Sequence, residues 1–412
     1  MKSAIAVISA IPRSNGNSAV IGSPPTKSCR CYAAGVLQRD GIWVTGRRPC
    51  ATRPAIACVA MAIATFPRSG TLLCGSKRIL MTASTAERMA MTRLTIDLSA
   101  IVRNYRRIVA LAPDRTVAAV VKADAYGLGA GPVTDALAAA GCTHFFVAHL
   151  SEVAAVRDAA RGGAVYVLNG LAAGAEADCV ALGAIPVLNS LVQVAAWRAQ
   201  GPRLPAILQV DSGMQRLGLS PQDVERLVAA PDLLGDIDLR YVMSHLACAD
   251  EPELAANRWQ RDRFAAICAQ LPPAPRSFAN SGGAFLGTDY HFDLLRPGIA
   301  LYGGEPRPDV RMESVVTLTA AIIQTRVVPA GAGIGYGLTA AADTDRNIAT
   351  IGIGYADGWP RRLGGRGSAF LDGQRVPIVG RVSMDSLLVD VSAVPEGARQ
   401  AGAPVELLGP HQ

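Results

Sequence analysis

The sequence predicts an α/β fold, a TIM-type (β/α)8 barrel followed by a β-rich C-terminal domain, on three observations. Between residues 117 and 296, eight short apolar runs alternate with Ala-rich segments of helical spacing. After Gly303 that alternation stops, and apolar runs are separated by Gly, Pro and Asp turns such as Asp372-Gly373. The first run, buried in character, ends on Lys122, the only lysine from residue 78 to the end. A doubly wound sheet shares the alternation, and periodicity alone does not separate the two architectures.

The chain opens differently. Residues 1–80 hold 11 Lys and Arg against one acid, Asp40, whereas the remaining residues carry a net charge of −3. The overall charge of +7 is therefore a property of the first segment. The body offers no basic face for nucleic acid. Residues 1–80 lack a helical or strand period and are expected to be disordered or an upstream extension, with Met81, Met89 and Met91 as alternative starts. A transit peptide is the other reading. The apolar stretch 54–64 is far too short to span a bilayer. Nine cysteines without repeated spacing argue against a disulfide framework, and five histidines form no metal-binding spacing. A cytoplasmic, reducing compartment is the expectation.

From Leu94 the order is regular. Residues 94–98 alternate like a strand, and 92–98 can belong to the second domain. Ser99 is the expected N-cap of a helix carrying Ile101, Val102, Tyr105 and Ile108 at helical spacing. Strands are predicted at 117–121, 145–148, 165–168, 185–188, 206–210, 239–243, 277–279 and 294–296. Helices are predicted at 132–140, 151–160, 175–182, 190–200, 221–229 and 251–271; Ser220 followed by Pro221 reads as a cap and a first-turn proline. The barrel then occupies 81–312 and the β-domain 313–412, with strands near 315–328, 347–354, 367–371, 375–379, 386–391 and 403–408.

Chemistry in such a barrel gathers at the C-terminal strand ends. Strand one ends at Lys122 and runs into a Gly-rich loop. Strand five leads to Arg216, strand six to His245 and Asp250, strand seven to Ser281, and strand eight to Arg296, Gly298 and Ile299. Elsewhere this chain uses Arg as its cation, with 36 Arg against 4 Lys. Arg stays protonated, whereas a buried Lys can act as a neutral amine and form a Schiff base. Each residue alone reads equally well as a rim ion pair, a core histidine or a cap. Together they supply an amine, guanidinium groups and an anion-binding loop, which describes a pyridoxal phosphate pocket. In the second domain, glycines around Tyr336 and Tyr355 read as tight turns rather than a dinucleotide loop, because no helix follows them.

Val121-Lys-Ala-Asp-Ala-Tyr-Gly-Leu-Gly129, Asp211-Ser-Gly-Met214, Arg296-Pro-Gly-Ile299 and Gly354-Tyr-Ala-Asp-Gly358 run in an order that resembles the alanine racemases. The resemblance extends from about Leu94 to Gly409. It implies pyridoxal 5'-phosphate as cofactor, L- and D-alanine as substrates, D-alanine for peptidoglycan as the use, and a homodimer with a shared active site. By that resemblance Lys122 carries the cofactor and is one of two bases, and Tyr336 of the other subunit is the second. Tyr126, Ser281, Gly298 and Ile299 would hold the phosphate, and Arg296 would face the pyridine nitrogen. Arg216 and Met384 would meet the substrate, while His245, Asp250, Tyr355, Arg361 and Arg381 would support the site or line its entrance.

The chain departs from the family pattern twice. Gln209 stands where many members carry a carbamylated lysine, and the family's further phosphate-binding Tyr lies beyond Gln412, so the second domain is expected to be C-terminally incomplete. Three rival functions share the cofactor. A barrel protein without turnover would not need Tyr336. A decarboxylase of the same fold would want a Cys in the β-domain, and none follows Cys268. A broad-specificity racemase would need a roomier entrance.

Overall fold

The computed structural model describes residues 69–74, 77–82 and 91–411. Expectations for the rest of residues 1–80 lie outside that set. Within it, β1 (Ser69–Cys74) and β2 (Lys77–Thr82) pair as an antiparallel hairpin, so the aperiodic reading gives way there. A backbone ladder needs paired N–H and C=O groups, not an apolar period.

β3 (Thr92–Ile96) leads into α1 (Leu98–Leu111). The cap of α1 is Asp97, not Ser99 as the sequence suggested. Asp97 is the last extended residue, and its carboxylate accepts the Ala100 N–H at 3.0 Å. Ser99 already lies inside the first turn. Around the barrel, the first strand position is split into β4 (Thr116–Val117) and β5 (Ala119–Val120), and α2 (Ala130–Ala139) follows. Next come β6 (His144–Val147), α3 (Val153–Arg157), β7 (Ala164–Val167), α4 (Glu176–Ala181), β8 (Ile185–Leu188) and α5 (Leu191–Arg198). The circuit ends with β9 (Pro205–Gln209), α6 (Pro221–Ala229), β10 (Asp238–Met243), α7 (Ala255–Cys268), β11 (Arg276–Ser277) and β12 (Leu294–Leu295). Ser220 caps α6 through the Asp223 N–H, with Pro221 in its first turn.

All the barrel strands are parallel. β4 bonds to β12 and β5 to β6, so the split first strand closes the ring and the doubly wound alternative falls. Strand alternation sorts the side chains. Phe146, Val187, Ile207 and Met243 fill the barrel interior, while their neighbours Phe145, Leu188 and Leu208 pack beneath the helices. The interior is therefore a solid plug, and the chemistry is left to the strand ends.

The second domain contains β13 (Val316–Val328), β14 (Gly333–Ile334), β15 (Ala340–Ala341), β16 (Arg346–Ile351), β17 (Ser368–Leu371), β18 (Gln374–Val379), β19 (Leu387–Asp390) and β20 (Pro404–Leu408). Seven strands form an antiparallel sheet in the order β16-β19-β18-β17-β20-β13-β3, and β13 also pairs with β16 to curl it. β3 joins this sheet from the front of the chain, pairing with β13 through Val316↔Ile96 to Ala320↔Thr92. Asp372 and Gly373 both have positive φ, as a two-residue turn between β17 and β18 requires.

Candidate active site

Lys122 sits one residue after β5, beyond Val121, but no ordinary loop follows it. Ala123, Asp124, Ala125 and Tyr126 all adopt left-handed helical angles, with φ between 53° and 58°. L-residues resist this conformation by about 1–2 kcal/mol each, so the turn must be held from outside. The Ala125 N–H reaches the Val121 carbonyl at 2.9 Å and the Gly129 N–H reaches the Asp124 carbonyl at 2.9 Å. Asp124 also accepts the Ala130 N–H at 2.7 Å, tying the turn to the start of α2. The turn sends Tyr126 back over the barrel mouth. Burial pushes the Lys122 amine below its usual range, Arg216 pushes it further, and Glu152 opposes both.

Across the mouth, strands seven and eight build a small cradle. Ser281 Oγ accepts the Gly298 N–H at 2.9 Å and the Ala300 N–H at 3.3 Å, which leaves its own hydrogen to donate elsewhere. The Tyr126 ring lies 4.6 Å from that of Tyr302, which anchors on the Val120 carbonyl at 2.9 Å. Burial raises the Tyr126 hydroxyl to about 12, so it too remains a donor. A Cβ at position 298 would fall 2.3 Å from the Tyr126 hydroxyl oxygen, so only Gly permits this approach.

Arg296 is only 3% exposed. Its guanidinium donates to the Ser244 carbonyl at 2.6 Å, to Ser277 Oγ, and to His245 Nδ1 at 3.4 Å. Burial draws it down to about 9, and it remains protonated at neutral pH. His245 is pushed down to about 3 by burial and by Arg296, Arg216 and Lys122. It is therefore neutral, with Nδ1 as the acceptor facing Arg296.

These groups surround a cavity of about 480 Å³. Lys122, Tyr126, Arg216, His245, Asp250, Ser281, Arg296, Gly298 and Ile299 all lie on its wall. Gln209 does too, a neutral amide at the end of β9. The sequence reading missed Asn280, whose side chain accepts the Gly283 N–H at 3.0 Å and donates to the Leu246 carbonyl at 3.2 Å. It also missed Glu152, whose only sequence signal is its place three residues after His149, where a capping glutamate can stand. Among the described residues, no group of three or more His, Cys, Asp or Glu could hold a metal ion.

Tyr336, Met384, Tyr355, Arg361 and Arg381 are not on the cavity wall. They cluster on the second domain instead. Gly354 lets two segments meet closely: the Ala356 N–H reaches the Met384 carbonyl at 2.9 Å, and the Tyr355 N–H reaches that of Ser383 at 3.0 Å. Arg361 lies 5.9 Å over the Tyr355 ring. Tyr336 is 67% and Met384 55% exposed, high for side chains that are half or wholly apolar.

Family models for the alanine racemase N-terminal and C-terminal domains match residues 96–306 and 315–412. The chain is 51% identical over 327 residues to a catabolic alanine racemase of Agrobacterium fabrum, covering 77% of this chain and 84% of that protein. It is 53% identical over 329 residues to a catabolic alanine racemase of Mesorhizobium japonicum, covering 77% and 85%. Among solved structures, it is similar to the Bartonella henselae alanine racemase with covalently bound pyridoxal phosphate, at a TM-score of 0.74 and 41% identity over 78% of this chain and 92% of that one. The biosynthetic alanine racemase of Pseudomonas aeruginosa matches with a TM-score of 0.71 and 37% identity over 78% and 90%.

Proposed function

This chain belongs to the alanine racemase family, and from that premise we propose that its barrel mouth binds pyridoxal phosphate and interconverts L- and D-alanine, with Lys122 and Tyr336 as acid–base groups on opposite faces of the substrate. The observation that carries this reading is Lys122, a part-buried amine with a depressed proton affinity, sharing one cavity with a donor-lined cradle.

The residues fit the cofactor. The Tyr126 and Ser281 hydroxyls and the backbone at Ile299 suit a phosphate, while Gly298, whose N–H goes to Ser281 Oγ, lets the Tyr126 hydroxyl come close to that cradle. Arg296 suits a ring nitrogen, since its guanidinium keeps its proton and only donates a hydrogen bond. Arg216, exposed on the cavity wall, suits the substrate carboxylate. When bound, pyridoxal phosphate supplies an electron sink that makes the substrate's α-hydrogen acidic.

The protein's own groups then move the proton. Lys122 Nζ takes it from Cα on one face, or returns it there. The Tyr336 hydroxyl does the same on the other face, so the substrate need not turn over. His245, neutral and a weak base, neither repels a proton from Lys122 as an imidazolium would nor takes one from it. Because Tyr336 is exposed and lies off the cavity wall, it serves the cavity of a second copy. The working unit is then a homodimer with two shared sites. The product D-alanine would serve peptidoglycan assembly in the cytoplasm; among the described residues no helix is long and apolar enough to cross a membrane.

The test is conversion of L-alanine to D-alanine in deuterated water, with deuterium uptake at Cα. Racemisation with one deuterium gained per turnover, lost in Lys122→Ala, is the expected result. Growth of a D-alanine auxotroph on expressing the protein tests the cellular role.

A further inference from the structure

We propose that Glu152 is a positioning residue for Lys122: its carboxylate clamps the left-handed turn that begins at Ala123 against the C-terminal end of β6. The proposal rests on Lys122 being the reactive amine. Glu152 lies just before α3, and its two oxygens divide their work. Oε1 accepts the Ala123 N–H at 2.8 Å. Oε2 accepts the Ala148 N–H at 2.6 Å and the His149 N–H at 3.2 Å. One side chain thus joins the residue after the reactive lysine to the end of the neighbouring barrel strand.

The clamp answers a need visible in the backbone. Four successive L-residues after Lys122 are left-handed, a conformation each resists. A helical turn also leaves its first N–H groups without internal partners, and Ala123 is the first here. Glu152 satisfies that donor and fixes where the turn starts, and hence where the lysine stem leaves the barrel. A carboxylate is the suitable group. Its two oxygens accept on both sides, whereas an amide would turn an NH₂ toward one set of N–H donors.

Glu152 has a second, electrostatic effect. The groups that set the Lys122 amine are burial and Arg216, which drive it toward the neutral form, and Glu152, which opposes them. Lys122 also acts in turn on neutral His245. Glu152 is the acid in this set, so it keeps the amine able to hold a proton that it must also give back.

The experiment uses the full chain with Glu152→Gln, Glu152→Asp and Lys122→Ala. Amide hydrogen exchange is followed on the peptide spanning 123–129. The pH dependence of Schiff-base formation between Lys122 and added pyridoxal phosphate is read by borohydride trapping and peptide mass. In Glu152→Gln we expect faster exchange in that peptide, a trapping midpoint moved to lower pH, and kcat reduced on the order of 10- to 100-fold with little change in KM. Glu152→Asp, which keeps the charge, should hold the midpoint near wild type while the turn still loosens. Unchanged exchange together with an unmoved midpoint in Glu152→Gln would overturn the proposal, as would a midpoint moved upward. Trapping and turnover that survive in Lys122→Ala would instead sink the reading of the site itself.

Discussion

The two halves of the candidate site are built in opposite ways. At the barrel mouth, polar groups are partnered and Arg296 and Ser281 are buried: Arg296 meets three oxygens and an imidazole, Ser281 collects two backbone N–H groups, and Glu152 collects three. On the second domain, Tyr336, Leu338, Met384 and Tyr355 are exposed among the described residues, with Arg361 lying over only the Tyr355 ring. A buried polar group without a partner costs about 1–3 kcal/mol, so the mouth must be complete before any ligand arrives. An exposed aromatic costs little until another surface covers it. The contrast teaches that one half is pre-organised by folding, while the proposed other half is finished by association.

The strongest way to break this comparison is to separate the halves. Lys122→Ala and Tyr336→Phe should each lose activity on the order of 10³-fold. If the halves belong to different copies, unfolding, mixing and refolding the two dead variants should restore about a quarter of wild-type activity, because half the dimers are mixed and each has one intact site. Mixing that restores nothing places both groups in one chain.

A finer cut keeps the dimer and asks about faces. Tyr336→Phe should suppress solvent exchange of the α-hydrogen of L-alanine by roughly 10²-fold, and that of D-alanine far less. Equal suppression, measured by proton NMR in deuterated water, would remove Tyr336 from its one-sided role.

Gly298→Ala probes the pre-organised half alone. The new Cβ must displace the Tyr126 hydroxyl from 2.3 Å. Losing one hydrogen bond to a phosphate should weaken pyridoxal phosphate binding by about tenfold, roughly 1.4 kcal/mol, with oligomeric state unchanged. A titration that gives the wild-type Kd would show that the cradle is not the phosphate site.

The barrel mouth should also be the acid-sensitive half. The native pKa of His245 is about 3 against 6.5 when unfolded, so the unfolded state binds the extra proton between those values. The stabilising contribution is fully present above pH 6.5 and is lost as pH falls toward 3, at up to about 1.4 kcal/mol per pH unit. Urea midpoints at pH 7 and pH 5 should converge for His245→Leu and differ for wild type. A wild-type slope retained in the variant assigns the sensitivity elsewhere.

The smallest effect concerns the cap between the halves, where β3 of the second sheet hands over to α1. Asp97→Ala should cost about 1 kcal/mol by denaturant unfolding, and Ser99→Ala about half that or less. The reverse order would restore the cap that the sequence suggested.

Much of the frame is legible without coordinates. The Phe145–Phe146 and Val187–Leu188 pairs are apolar on both faces because plug and helices lie on either side of each strand, and Ser220-Pro221 and Asp372-Gly373 declare their turns locally. Local information also chose the wrong cap, since Asp97 and Ser99 are both good caps and only the point where β3 stops pairing with β13 decides between them. Glu152 reads as an ordinary first-turn glutamate, because its partner Ala123 is 29 residues away.

The sequence by itself determined the alternation of strand and helix, the change to a β-domain after Gly303, and the lone lysine at the end of the first strand. Each depends on neighbours within a few residues, where propensity and spacing act. Closure of the ring through a split first strand, the left-handed turn after Lys122 and the withholding of Tyr336 from its own chain's cavity were decided only by tertiary structure. The physical reason is that each is an unfavourable or indifferent local choice. Four left-handed L-residues and an exposed tyrosine gain nothing where they stand, and they persist because distant backbone and carboxylate groups, brought near by the barrel, hold the turn and aim the site.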